Sequence, residues 1–185
     1  MIGKILSAVR WRWRCRRAVA TARRDTHANL SAGDFRRILV VCYGNIYRSP
    51  FVAARLRQRL ADAAEVRSCG FHSRPERPSP ERHVAMSAAR GIDLGSHRSA
   101  VVRPDDVNWA DLIVLMDRHN WQALQNVGAP ADRLAWLGAL DDGPVEIPDP
   151  YGLDERSALR VLDRLDACSV RLAELATRLR VGPPR

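Results

Sequence analysis

Apolar residues recur along this chain in two rhythms. Short β-branched runs, of which Ile38-Leu39-Val40-Val41 is the clearest, predict strands at about 37–42, 65–69, 111–116 and 133–137. Apolar residues at every third or fourth position predict helices near 50–63, 80–90, 117–126 and 154–180. Strand and helix alternate, which implies an α/β domain with a parallel sheet covered on both faces. Proline breaks the stretches from Arg74 to Pro80 and from Asp141 to Tyr151 into loops. Thr26 to Asp34 is small and polar and reads as a linker.

Composition changes this picture mainly at the amino end. The 185 residues, 46% of them apolar, suffice for one domain with a core, and no run is long enough to span a membrane. The formal charge of +9 is unevenly divided: residues 1–24 hold Lys4 and seven arginines without an acid, so they contribute +8 and residues 25–185 only +1. A helical wheel gathers Ile2, Ile5, Leu6, Val9 and Trp13 on one face, the pattern of a helix lying on an anionic membrane surface. Trp11-Arg12-Trp13-Arg14 alternates with period two instead, so a solvated, unstructured arm is the competing expectation. The segment lacks the apolar stretch of a secretory signal, and no nucleic-acid-binding module accompanies its basicity. Residues 1–35 therefore read as a basic extension and 36–182 as the domain. Abundant arginine and alanine point to a GC-rich bacterial genome.

The chemistry concentrates in Cys42-Tyr43-Gly44-Asn45-Ile46-Tyr47-Arg48-Ser49-Pro50. A buried strand delivers Cys42 to its carboxyl end, and a helical pattern opens directly after the Ser-Pro pair. Ser49 suits an N-cap and Pro50 the first helical position. The intervening loop then gathers backbone N–H groups at a helix N-terminus, a concavity that binds phosphate and favours a nucleophilic thiolate. Arg48 adds a planar fork for two phosphoryl oxygens. Gly44 permits close backbone approach. Asn45 tolerates the left-handed conformation and bonds to nearby backbone. Tyr43, Tyr47 and Tyr151 are candidates to line a slot for an aromatic ring. Cys15, Cys69 and Cys168 show no metal or redox spacing, which suits a reducing cytoplasm. His97 and His119 read as structural or surface groups, Asp117 as a helix cap, and Arg98 and Arg103 as a solvated face.

The Cys-x5-Arg-Ser-Pro loop with Gly44-Asn45-Ile46 inside it resembles that of the bacterial low-molecular-weight protein tyrosine phosphatases. Asp149-Pro150-Tyr151 falls where that family keeps its second motif. The segments from Gly91 to Ser99 and from Ala110 to Asp117 look like its middle, and the resemblance spans roughly Arg36 to Leu179. It implies a four-stranded, flavodoxin-like sheet and hydrolysis of phosphotyrosine through a cysteinyl-phosphate. Cys42 would be the nucleophile, Arg48 the oxyanion holder and Asp149 the acid. The loop residues Tyr43, Gly44, Asn45, Ile46, Tyr47 and Ser49, together with Tyr151, would surround the substrate. No metal and no cofactor is required. The implied partner is a phosphotyrosine protein in the cytoplasm, such as a tyrosine autokinase of polysaccharide export. Tyr47 departs from the cysteine many members carry there, which puts protection of the nucleophile by a neighbouring disulfide in doubt. Arsenate reduction on the same scaffold would need further cysteines, and none lies between Cys69 and Cys168. A small-molecule aryl or acyl phosphatase and a phosphate-binding module without turnover are the remaining alternatives.

Overall fold

Ile38, Val40 and Cys42 point to one face of the first strand, Leu39 and Val41 to the other, and all five are buried. Such a strand can only be central. The computed structural model describes residues 2–33 and 35–181, and the side chains of 10–33 and 35–179. The elements run α1 (Ile2–Ser31), β1 (Arg37–Cys42), α2 (Arg48–Leu60), β2 (Glu65–Gly70), α3 (Glu81–Ala88) and α4 (Pro104–Trp109). They continue with β3 (Leu112–Leu115), α5 (Arg118–Asn126), β4 (Leu134–Trp136) and α6 (Glu155–Val181). The four strands are parallel in the order β2-β1-β3-β4. Successive connections leave β1 in opposite directions, and the crevice at such a switch point is where open α/β sheets bind ligands.

The two faces of the sheet carry separate cores. Ile38, Val40 and Cys42 pack with Phe51, Leu56, Leu165 and Leu172 from α2 and α6. Leu39, Val41 and Cys69 pack with Ala22 of α1, Val107 of α4 and Leu124 of α5. The four-stranded α/β architecture agrees with the sequence pattern. The pattern did not show α4, although Pro104 opens it, Asp105 and Asp106 fill its first turn, and the Arg103 backbone N–H donates to Asp106 Oδ2. Six residues are too few for a periodic signal.

The amino-terminal segment is the main correction. Residues 26–31, expected as a linker, continue α1, and the segment is not a solvated arm. Cys15, Ala22, Thr26 and Leu30 are buried against the domain. Apart from Leu30 the buried positions are small, so the helix approaches closely, and polar groups join it to the edge strand. Thr26 Oγ1 accepts from the Trp136 N–H at 3.0 Å, and Asn29 Nδ2 donates to the carbonyls of Ala131 and Leu134, each at 2.9 Å. Arg23 donates to the carbonyls of Ala139 (2.8 Å), Gly143 (2.9 Å) and Asp141. This helix covers the outer edge of β4, whose unpaired backbone would otherwise invite another strand. The side chains of Ile2, Ile5, Leu6 and Val9, and residue 182, lie outside the described residues.

Thr26 is fully buried, so removing its oxygen strands the Trp136 N–H. Thr26→Val is expected to lower the unfolding free energy by ~1–3 kcal/mol, and Thr26→Ser by much less. Urea titration of the full chain checks this; equal midpoints for Thr26→Val and wild type would mean that the N–H finds another partner.

Candidate active site

The loop between β1 and α2 is shaped by Gly70, where β2 runs beneath it. A Cβ at that position would lie 2.7 Å from the Tyr43 carbonyl oxygen and 2.9 Å from Asn45 N, so a side chain cannot fit. Asn45 takes the left-handed conformation, with φ 49°, as expected for it. Its Oδ1 accepts from the Ala100 N–H at 2.8 Å, which turns Nδ2 towards Ser49 Oγ (2.9 Å) and Ser68 Oγ (3.0 Å). Because Ser49 accepts from Asn45, its own proton is left for Cys42 Sγ at 3.1 Å, closer than the Cys69 carbonyl at 3.5 Å. The Asn45 N–H donates to the same sulfur at 3.2 Å. Two hydrogen-bond donors thus converge on a buried thiol, the arrangement that stabilises sulfur carrying negative charge.

The helix after the loop starts earlier than its Ser-Pro pair suggested. Tyr47 is the residue before the first turn, α2 begins at Arg48, and no side chain caps it. Ser49 is not the cap because its hydroxyl serves the sulfur, and Pro50 fits anywhere in a first turn, where the N–H has no intrahelical partner.

Carbonyls of the loop are held from outside. Tyr43 O accepts from the Phe71 and His72 N–H groups at 2.9 and 3.0 Å, and Gly44 O from Arg77 Nη2 at 2.5 Å. Asn45 O meets His97 Nε2 at 2.7 Å, and Tyr47 O meets His83 Nε2 at 2.9 Å. A carbonyl can only accept, so both imidazoles carry their proton on Nε2. With the oxygens engaged outwards, the N–H groups form the inward face of a cradle at the N-terminus of α2.

Arg48 is 1% exposed and is held from three directions. Its Nη1 donates to Asp117 Oδ2 at 2.6 Å and to the Ile147 carbonyl at 3.0 Å, and Nη2 donates to Asp149 Oδ2 at 2.8 Å. Its Nε has no partner among the described residues. Of five N–H donors, the Nε proton and one on Nη2 therefore remain for a bound anion. Burial favours loss of its proton, but the charges of Cys42, Asp149 and Asp117 outweigh that and raise its pKa. Asp149 is fixed in turn by an Asx turn, with Oδ1 accepting from the Tyr151 N–H at 3.1 Å.

A pocket of ≈ 330 Å³ opens over the sulfur. Tyr43, Gly44, Ile46, Tyr47 and Tyr151 line it together with Cys42 and Asp149. The rings of Tyr47 and Tyr151 stand edge to face, their centroids 6.3 Å apart, and Tyr151 is 75% exposed. Arg48 lies buried below, and Asn45 and Ser49 lie behind the loop, where they order it instead of walling the pocket. His72 and Arg77 complete the lining; neither is among the expected site residues, although Arg77 belongs to the proline-broken Arg74 to Pro80 loop, whose equivalent in the resembling family borders the active-site mouth. Asp117 was read as a cap only. It does cap α5, with Oδ1 accepting from the Asn120 N–H at 2.8 Å, but its other oxygen pairs with Arg48. Its place after β3, beside β1, was the available signal. Cys69 pairs in register with Val41 and so points to the face of the sheet opposite Cys42. Burial raises the Cys69 thiol far above its ordinary pKa.

His83 gives the site a pH dependence of stability. Burial, only partly opposed by its bond to Tyr47 O, lowers its pKa from 6.5 to about 4. An unfolded chain takes up this proton near pH 6.5 and the folded one only near 4, so stability is intact above 6.5 and falls as pH drops through that interval. The loss by pH 4 is expected to be on the order of 3 kcal/mol. His97, also lowered by burial, acts in the same direction. His83→Gln retains an amide donor for Tyr47 O and should flatten the dependence of the urea midpoint on pH; an unchanged slope would show that the folded protein accommodates the charged ring.

Comparison with known proteins fits this geometry. The low molecular weight phosphotyrosine protein phosphatase family model matches residues 37–181. A Ralstonia solanacearum protein named as a probable low molecular weight protein-tyrosine-phosphatase, EpsP, is 41% identical over 117 residues, 63% of this chain and 79% of its own. The structure of the tyrosine phosphatase Wzb from Escherichia coli K30 in complex with sulphate is 27% identical with a TM-score of 0.70, over 80% of this chain and 99% of that one. The YwlE arginine phosphatase from Geobacillus stearothermophilus is 26% identical with a TM-score of 0.68, over 75% and 91%. With its family-specific residues beginning at the first strand and ending in the last helix, this chain belongs to the low molecular weight phosphotyrosine protein phosphatase family.

Proposed function

We propose that the protein hydrolyses phosphotyrosine in proteins, with Cys42 as nucleophile, Arg48 as oxyanion holder and Asp149 as acid and base. The observation that carries this reading is the convergence on one buried sulfur of Ser49 Oγ and Asn45 N, directly beneath an aromatic-walled pocket that Asp149 also lines. Cys42 thiolate attacks phosphorus and the bond to the tyrosyl oxygen breaks, its electrons going to that oxygen. Asp149 supplies the proton. The loop N–H groups and the two unused donors of Arg48 hold the non-bridging oxygens, the positions where charge is redistributed. In the second step water attacks the cysteinyl-phosphate, Asp149 takes the proton it loses, and sulfur departs with the Ser49 hydroxyl donating to it. Inorganic phosphate is the product. By this reading the substrate is a phosphoprotein of the cytoplasm. A tyrosine autokinase of polysaccharide export is the partner that the resemblance to bacterial relatives suggests.

One neighbour in fold is an arginine phosphatase, so the leaving group has to be argued from the pocket. Tyr43, Ile46, Tyr47 and Tyr151 offer flat and apolar walls to an aryl ring. A guanidinium would meet the Arg77 cation at the same lining, and the one carboxylate there, Asp149, is already shared with Arg48. We expect kcat/KM for a phosphotyrosyl peptide to exceed that for the matching phosphoarginyl peptide by ~100-fold or more, since like-charge juxtaposition costs several kcal/mol and lost ring-to-ring contact ~0.5–1.5 kcal/mol more. The reverse order in steady-state assays would assign the pocket to arginine.

Cys42→Ser is expected to abolish turnover of an aryl phosphate while still binding vanadate, because the cradle is backbone and Arg48. Asp149→Asn should lower kcat by ~10²–10⁴-fold, most for leaving groups of high pKa. A loss below about tenfold, uniform across leaving groups, would move the acid to another residue. Glu146 is a poor candidate for the post, because Arg118 engages both of its oxygens.

A further inference from the structure

The helix α1 has an outward face that the domain does not use, and its direction relates that face to the pocket. Asn29 bonds at the start of β4, Thr26 at its end, and Arg23 at the carbonyls of residues 139–143 that follow. Further towards the amino end, Cys15 reaches Gln122 and the Arg14 guanidinium lies 5.9 Å over the Trp121 ring, both in the first half of α5. The helix therefore climbs antiparallel to the strands and passes the carboxyl edge of the sheet, the edge that carries Cys42, Asp117 and Asp149. At 1.5 Å per residue, the helix continues for about 18 Å over residues 2–13.

The exposed side of this projection is basic and carries an aromatic ring. Arg10, Arg12, Arg16 and Arg17 are exposed and no carboxylate pairs with them among the described residues. Trp13 is 63% exposed, with the Arg17 guanidinium 5.7 Å over its ring. The side of α1 towards the domain carries the buried Cys15. Exposing a tryptophan within a cluster of unpaired arginines leaves apolar surface and unscreened charge in water together. Both are relieved at one kind of surface, an anionic lipid headgroup layer, where the ring sits at the interface and the guanidinium groups meet phosphates.

We propose that the projecting part of α1 docks the protein on an anionic membrane surface with the phosphatase pocket on the membrane side, so that phosphotyrosines presented at that surface are its preferred substrates. The second half of this statement rests on the phosphatase reading; the docking does not. The occupant is a lipid surface and not a nucleic acid because the face is a single convex helix with no groove to track a phosphate backbone.

The test uses the full chain and vesicles of phosphatidylcholine, with and without about one third phosphatidylglycerol. Wild type should sediment with the anionic vesicles only, and salt should release it. Combined Arg10→Gln, Arg12→Gln, Arg16→Gln and Arg17→Gln should weaken partitioning on the order of 10²-fold, and Trp13→Ala several-fold. Soluble aryl phosphate hydrolysis should stay within about twofold in both variants. A phosphotyrosyl peptide anchored in anionic vesicles should lose on the order of tenfold or more in rate with the fourfold variant. Sedimentation with neither vesicle, equal sedimentation with both, full retention by the fourfold variant, or tight binding to a short RNA without vesicle binding would each overturn the docking. Docking without an advantage on the anchored peptide would overturn the orientation. Failure of the wild type on the soluble substrate would instead sink the phosphatase reading and leave the sedimentation result to decide the docking.

Discussion

A buried guanidinium holds this structure's working edge together. Arg48 sits at the start of α2, and its charge is too costly to bury unpaired. Its partners come from three further places in the chain: Asp117 after β3, the Ile147 carbonyl, and Asp149 in the loop before α6. The loop is itself tied to the sheet, since the Ile147 N–H donates to Met116 O. The one cation thereby sets the distance between the cysteine loop and the segment bearing the second carboxylate. Removing either carboxylate leaves the buried Arg48 charge underpaired.

A second constraint acts through oxygen and not through charge. An anion cradle requires that a run of carbonyls point away from its centre, against no local preference to do so. Here each of four carbonyls is met by an outside donor: the Phe71 and His72 amides, Arg77, His97 and His83. Both histidines donate through Nε2–H while neutral. Burial keeps them so, which links the shape of the loop to the acid limb of stability.

β1, β3 and β4 were legible in the sequence because they are buried on both faces and read as apolar runs, whereas β2 exposes Glu65 and Arg67 and shows only Val66 and Cys69 as buried apolar positions. Cys42, Arg48 and Asn45 were legible because their chemistry is local: a thiol at a strand end, a fork five residues on, a residue that accepts positive φ. What was missed depends on distant partners. Asp117 divides its two oxygens between its own helix and an arginine 69 positions away. The docking of α1 was hidden for a different reason. Its buried face is built from the small residues Cys15, Ala22 and Thr26 with Leu30 the one large apolar side chain, and Arg23 reads as surface charge although it bonds three carbonyls. Close approach by small residues buries a helix as well as a leucine stripe does, but it leaves no periodic signal.

Charge balance, finally, distinguishes the two carboxylates on Arg48. A thiolate, a phosphoryl dianion and two carboxylates cannot share one buried guanidinium, even with the loop dipoles and Arg77 nearby, so one anionic group must carry a proton when substrate binds. In the proposed mechanism the nucleophile is not that group, because it reacts as the thiolate. Asp117 is the more enclosed of the two carboxylates, with its side chain 16% exposed, and it does not line the pocket. Asp149 is 39% exposed, lines the pocket and exchanges with solvent, and when the phosphoryl oxygens take the free donors of Arg48 its ion pair weakens. In the proposed mechanism Asp149 is accordingly the carboxylate that delivers the proton.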